Sequence, residues 1–258
     1  MTVALAQFQA FQARFSRVAE RIGMVSRAMR QIGRWPYRSS FGFLARWQPR
    51  MGEDMIVIGA HHGQAIDAIR LYQPNHAIHA FEPNPHLVAA LAVRYADDDA
   101  LALYGCGLSR ECGQSQFYIP VYGNHAFDQY GSFEARQCRT SLNIETLAGF
   151  NAERLEMMAC PAQHFSLDEV EINAGLIVLS ETGNNRAILD GARATLKHCA
   201  PLVMAPLTRD VRTVLCVEHN YHPVDYRGGK LRKLTSNAKD AIYVPFQRRQ
   251  SLERAGLA

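Results

Sequence analysis

A doubly wound α/β fold built on a mostly parallel sheet is predicted for this chain by three observations. Residues 55–59, Met-Ile-Val-Ile-Gly, form an apolar run without alternation, as a parallel strand covered on both faces requires. A helical stripe follows at Ala65, Ile66, Ala68, Ile69 and Leu71, and then a second apolar run, Ala77-Ile78-His79-Ala80-Phe81. A further helical segment, about 85–95, leads to a third strand near 101–106. Strand, helix, strand, helix, strand gives right-handed crossovers and half of a doubly wound sheet. The ligand crevice of such a sheet opens beyond the carboxyl ends of its strands.

The chain has 258 residues, 48% hydrophobic and 20% charged, which is the composition of a globular protein with a sizeable core. No stretch approaches the ~20 apolar residues of a membrane-spanning helix, and no basic segment followed by an apolar signal core opens the sequence, so a cytoplasmic location is expected. The cysteines at 106, 112, 138, 160, 199 and 216 form no C-x-x-C pair. Reduced thiols and no metal site are expected from that spacing.

The net charge of +4 is unevenly spread: residues 1–50 hold nine Arg and one acid, Glu20, a net +8, so the remaining 208 residues sum to −4. Apolar residues at 8, 11, 15, 18, 22, 25, 29 and 32 recur in steps of 3 and 4, which predicts one long amphipathic helix ending near Gly33 and Pro36. The seam of residues 8–32 fits three roles: a brace on its own domain, self-association as a homo-oligomer such as a homodimer, or peripheral contact with an anionic membrane surface. Residues 34–50, with Trp35, Tyr37, Phe41, Phe43 and Trp47, are expected to be a linker packed on the next domain. Two regions result: an Arg-rich helix with its aromatic linker at 1–50, and an α/β domain at 51–258.

The first strand runs into Gly59-Ala60-His61-His62-Gly63-Gln64. Glycines here let the chain approach a ligand closely and leave backbone N–H groups directed at it. Glu82 ends the second strand, 23 residues after Gly59, where a carboxylate can accept hydrogen bonds from both hydroxyls of a ribose. A turn glycine with no ligand role explains Gly59 and Gly63 equally well taken alone. The loop lacks the G-x-G-x-x-G of nicotinamide dehydrogenases, so an adenosylmethionine site is favoured over a dinucleotide.

The run Val57-Ile58-Gly59-Ala60-His61-His62-Gly63-Gln64, then Phe81-Glu82-Pro83-Asn84-Pro85 and Gly107-Leu108-Ser109 before a strand at 116–120, resembles the FkbM family of methyltransferases. Ser166-Leu167-Asp168-Glu169-Val170, Ile188-Leu189-Asp190-Gly191-Ala192, Asn220-Tyr221 and Ala241-Ile242-Tyr243-Val244-Pro245 are similar to later family segments, so the likeness spans about 53–246. The resemblance implies a Rossmann-like seven-stranded sheet with its last strand antiparallel. It also implies binding of S-adenosylmethionine and methylation of a hydroxyl, often on a sugar or small metabolite. Carried over by position, Gly59, Ala60, His61 and Gly63 border the methionine part, Glu82 the ribose, Asn84 the same turn, and Gly107 and Ser109 the adenine or carboxylate end.

Two departures from the family stand out. Val57 replaces an acid, which removes a partner for the methionine ammonium group. The family's K-I-D-x-E-G-x-E is here Val178 to Asn185, with Val178, Ser180, Thr182 and Asn185 in place of its charged residues. Methylation of an alcohol needs an aligned nucleophile and removal of its proton. The candidates for that work are Ser180, the adjacent Glu181, and a histidine, with His61 foremost among His61, His62, His164, His219 and His222. Strand alternation turns Glu181 away from the face of Ser180. The basic, glycine-broken stretch 226–233 is expected to be a solvated loop, and no nucleic-acid partner is expected.

The sequence therefore predicts an S-adenosylmethionine-dependent O-methyltransferase acting on a small or carbohydrate hydroxyl. Its alternative is a methyltransferase-like binding or scaffold protein without turnover. A nicotinamide oxidoreductase ranks below both.

Overall fold

The computed structural model describes residues 36–180 and 184–257. The predicted helix at 8–32 and Trp35 lie outside these residues. Along the chain run β1 (Asp54–Ile58), α1 (Gln64–Arg70), β2 (Ile78–Phe81), α2 (Pro85–Arg94), β3 (Leu101–Tyr104), β4 (Gly107–Leu108), β5 (Gly113–Tyr122), β6 (His125–Ala126), α3 (Ala135–Ser141) and β7 (Leu155–Phe165). There follow α4 (Leu167–Val170), β8 (Ala174–Leu179), α5 (Asn185–Asp190), α6 (Arg193–His198), β9 (Leu202–Pro206), α7 (Arg209–Arg212), β10 (Tyr221–Arg227), β11 (Lys230–Lys233), β12 (Asp240–Pro245) and α8 (Arg249–Arg254). The described residues divide into two compact units, 36–113 with 163–257, and 114–162.

In the larger unit an eight-stranded sheet has the order β11-β10-β12-β9-β8-β1-β2-β3. The five strands from β3 to β9 are mutually parallel, and β12 is antiparallel to both β9 and β10. The inner parallel strands are mostly apolar because both faces are covered: β8, Ala-Gly-Leu-Ile-Val-Leu, is buried at all six positions, while His79 of β2 hydrogen-bonds to Asp54 of β1 and Tyr104 of β3. Met55 and Val57 pack with Ile66 and Ile69 of α1, while Ile56 and Ile58 face Ile188 and Leu189 of α5 and Leu196 of α6. Strand order reverses beside β1, between β2 on one side and β8 on the other, which is where an open α/β sheet leaves its crevice.

Seven strands were implied by the family likeness, and the sheet has eight. The extra strand is β11, in the stretch expected to be a solvated loop. Gly228 and Gly229 have φ +60° and +78°, the two positive angles that a tight hairpin turn demands, so the glycines join two strands where they were expected to break the chain.

Aromatic residues of 36–50 pack on this unit. Ser39–Ala45 forms a 3-10 helix whose Phe41, Phe43 and Leu44, with Trp47, are buried against the α1 face of the sheet. Gln73 at the end of α1 donates to the carbonyls of Leu44 and Trp47 at 2.8 and 3.1 Å and fixes the linker there.

The amino end of the sheet is held by a buried ion pair. Arg248, 1% exposed, donates to both carboxylate oxygens of Glu53 at 2.7 and 2.8 Å, and to the carbonyls of Ala200 and Cys199. One guanidinium thus joins the entries to β1 and β9 with the start of α8. Burial pushes the Glu53 carboxyl up, but the Arg248 bonds and the Arg50 N–H outweigh it, and the carboxyl lies below its ordinary value. Gly175 is required beside it, since a Cβ there would sit 2.8 Å from Glu53 Oε2.

The smaller unit is built around β5, which lies beside β7 and forms an antiparallel hairpin with β6. Its cores are Tyr122, Phe127, Leu142, Leu147 and Leu155, and Phe117 with Ile119 and Ala162. Burial pushes the Cys138 thiol up to about 12. All six cysteines are unbridged.

Arg248→Ala should cost about 3–5 kcal/mol of unfolding free energy at pH 7, because it strands a buried carboxylate. Glu53 has a lowered folded pKa, so its contribution is complete above its unfolded value and fades as the pH falls. Urea titrations should therefore find a larger mutant penalty at pH 7 than at pH 4. Equal penalties at both would contradict a charged pair.

Candidate functional site

Of the residues singled out from sequence, Gly59 to Gly63 follow β1, Glu82 and Asn84 follow β2, and Ser180 follows β8. Leaving β1, the N–H groups of Gly59 and Ala60 both bond to the Phe81 carbonyl at the end of β2. Gly59 has φ +73°, a left-handed turn that lets the chain leave the strand abruptly. His61 has φ +47°, which costs a residue with a side chain about 1–2 kcal/mol. That conformation is held from outside: the His61 N–H donates to Glu82 Oε2 at 2.8 Å.

Glu82 follows β2 directly and is 2% exposed. Its other oxygen, Oε1, accepts the Asn84 N–H at 3.0 Å. One carboxylate therefore ties the β1–α1 loop to the β2–α2 loop. Asn84 is fully buried and caps α2, its Oδ1 accepting the His86 N–H at 3.0 Å ahead of Pro85 at the first helical position.

Gly63 needs to be glycine for a reason that sequence reasoning missed. It caps α1 at φ +81°, and a Cβ on it would meet the Tyr95 hydroxyl at 2.4 Å. That hydroxyl donates toward the Gly63 carbonyl and Asp67 Oδ1, and Arg94 reaches the His62 carbonyl and Asp67. The end of α2 thus closes over this glycine from 32 positions away in sequence, a contact no local pattern announces.

Ser180 follows β8, its N–H donating to the Ile58 carbonyl at 2.9 Å. Tyr37, whose phenol is pushed up by burial, lies close to it. Both line a small hollow of ≈ 20 Å³, room for about one water, with Phe41, Met204, Asp225 and Asp240. Arg38 pairs with Asp240 at 3.0 Å on its rim. Tyr37 comes from the linker, outside the stretch that resembles the family. Glu181, the other candidate next to Ser180, lies outside the described residues.

Gly107 and Leu108 pair in parallel with His164 and Phe165, and the Ser109 N–H bonds to the Phe165 carbonyl at 2.8 Å. Ser109 carries its carbonyl against Gly191, where a Cβ would lie 2.0 Å away. These two residues are thus joined to the turn between α5 and α6. Close by, the buried Asp190 takes hydrogen bonds from Arg110, Arg186 and Arg193; burial pushes its carboxyl up, the three guanidinium groups win, and it is held at about 2.

Three buried polar atoms have no hydrogen-bond partner among the described residues, His61 Nδ1, Asn185 Oδ1 and His219 Nε2. Leaving one buried acceptor unpaired costs about 1–3 kcal/mol, so such atoms are scarce in folded proteins and accumulate where a ligand completes them. Asn185 was noted in the sequence only as a replaced acid. Its burial at the start of α5 could not be read from spacing.

No protein-family model matches the sequence, and no curated protein matches it. Among solved structures, the chain is similar to a methyltransferase FkbM from Methylobacillus flagellatus KT, at 12% identity and a TM-score of 0.46, over 74% of this chain and 43% of that one. It is also similar to a precorrin-6y C5,15-methyltransferase from Geobacter metallireducens GS-15, at 14% identity and a TM-score of 0.35, over 78% of this chain and 83% of that one. The chain spans less than half the length of the first of these.

Glu82→Ala removes the acceptor of two N–H groups and should cost about 2–4 kcal/mol in urea unfolding without any ligand present. Glu82→Gln, which keeps one carbonyl acceptor, should lose less. A Glu82→Ala protein within about 0.5 kcal/mol of the parent would show that the carboxylate does not hold the loops.

Proposed function

We propose that this chain is an S-adenosylmethionine-dependent O-methyltransferase acting on a hydroxyl of a sugar or small metabolite. The observation that carries this reading is the placement of Glu82: a carboxylate at the end of β2, beside the point where strand order reverses, bonded to the N–H groups of both loops that rim the crevice. The antiparallel β12 set between β9 and β10 agrees with the sheet implied by the family likeness.

The residues present fit the cofactor in kind. A carboxylate oxygen can accept two hydrogen bonds, so the Glu82 oxygens can take ribose hydroxyls while keeping their backbone partners. The unpartnered His61 Nδ1 and Asn185 Oδ1 suit a polar ligand. When bound, S-adenosylmethionine supplies an electrophilic methyl group on a sulfonium. Gly59 lets the backbone come close to the ligand, and Glu82 holds the ribose and, through His61, the shape of the loop. Ser180 and Tyr37 orient an accepting hydroxyl by hydrogen bonding, and His61 Nδ1 takes its proton as the C–O bond forms.

One observation favours the alternative, a binding module without turnover. Glu82 is buried with both oxygens already bonded, and Val178, Ser180, Thr182 and Asn185 stand where the resembled family carries charged residues.

Calorimetric titration with S-adenosylmethionine and S-adenosylhomocysteine separates the two readings. Micromolar dissociation constants for both are expected of the enzyme. Absence of heat at millimolar ligand would remove the methyl-donor reading and leave the binding module.

A further inference from the structure

The β10–β11 hairpin gathers positive charge that the proposed chemistry does not yet use. Residues 225–240 hold five cations and two acids, a net +3, so the rest of 51–258 sums to −7. The turn stands at the carboxyl end of the sheet, because Asp240 of β12 pairs with Pro206, the last residue of β9, and Val224 of β10 pairs with Ile242. Around it the cations converge. Arg46 of the linker reaches the Gly229 carbonyl at 3.5 Å, Arg232 Nε reaches the Arg227 carbonyl at 3.4 Å, and Lys230 faces Arg227 across the ladder. Asp225, the one acid of the two strands, binds Arg227 Nε at 2.9 Å. Four cations thus share a single carboxylate. Among the described residues Arg46 and Arg232 are each bonded through one nitrogen, so most of their five donors stay open.

This charge adjoins the side of the crevice where the accepting hydroxyl is proposed to lie. Asp225 and Asp240 line the hollow that holds Ser180 and Tyr37, and Arg38 pairs with Asp240 at 3.0 Å while its guanidinium lies 5.2 Å from the centre of the Tyr37 ring. The hollow admits about one water, so a molecule of sugar size meets it at the rim. There the exposed groups are guanidiniums, whose planar forks match the oxygens of a phosphate. None of the exposed large apolar side chains belongs to 36–46 or 221–240, so this surface has nothing to insert into a bilayer or to stack on bases. Resting on the methyltransferase reading above, we infer that the accepting molecule is phosphorylated, its phosphate held by Arg46, Arg227 and Arg232 at the hairpin, with Arg38 on the side of Ser180. The substrate class narrows from a hydroxyl-bearing sugar or small metabolite to the phosphorylated form of one.

The test is calorimetry on the full chain with inorganic pyrophosphate at low salt. Binding is expected, weakening as salt is added. Arg227→Gln and Arg232→Gln should each weaken it about tenfold, the worth of a hydrogen bond between charged groups. Asp225→Asn should strengthen it, because the carboxylate that competes for the same guanidinium is gone; a merely structural ion pair would give no gain. All three side chains sit on the surface, so thermal midpoints should stay near the parent's, and the affinity for S-adenosylhomocysteine should not change. Absence of heat with pyrophosphate, or equal affinity in the parent and both arginine variants, overturns the inference. So does binding of phosphatidylglycerol vesicles or single-stranded RNA through these arginines when pyrophosphate does not bind. If pyrophosphate binds through them and S-adenosylhomocysteine does not bind at all, the methyl-donor reading fails and the phosphate site stands without it.

Discussion

A single carboxylate governs the carboxyl edge of the sheet. Glu82 joins the N–H groups of His61 and Asn84, so the turn that leaves β1 and the turn that leaves β2 share one acceptor. Without it, the left-handed conformation of His61 has no evident support, because its imidazole is not hydrogen-bonded through Nδ1. Strain held in place by a buried carboxylate is a feature expected of a binding edge, where loop shape must exist before the ligand arrives.

The opposite edge is fixed by different chemistry. Arg248 and Glu53 form a buried pair with four hydrogen bonds from the guanidinium, joining β1, the entry to β9 and the C-terminal helix. Between these two edges β8 is buried at every position, and His79 of β2 is hydrogen-bonded to the neighbouring strands through Asp54 and Tyr104.

Much of the fold was legible because a parallel strand declares itself by unbroken apolar residues. β1, β2 and β3 fall within a residue or two of the expected runs, and α2 begins at the Pro85 that the Phe-Glu-Pro-Asn-Pro element supplies. The hairpin of β10 and β11 was hidden because Gly228-Gly229 reads equally as a break or as a tight turn, and only the neighbouring strand decides. The compact unit 114–162 gave no boundary signal, since its chain enters and leaves by strands.

The site was legible in its backbone and not in its side chains. Gly59 and Glu82 were singled out by spacing and Asn84 by the family likeness, whereas the Tyr95 contact over Gly63 depends on distant segments meeting. The carboxylate that the sequence singled out for a ribose is bonded on both oxygens already, so its reach toward a ligand is the central physical question. A crystal structure of the protein grown with S-adenosylhomocysteine answers it directly. The expected result is a ribose with both hydroxyls within hydrogen-bond distance of Glu82; the nucleoside bound elsewhere, or Glu82 still sealed behind its loops at saturating ligand, would contradict it.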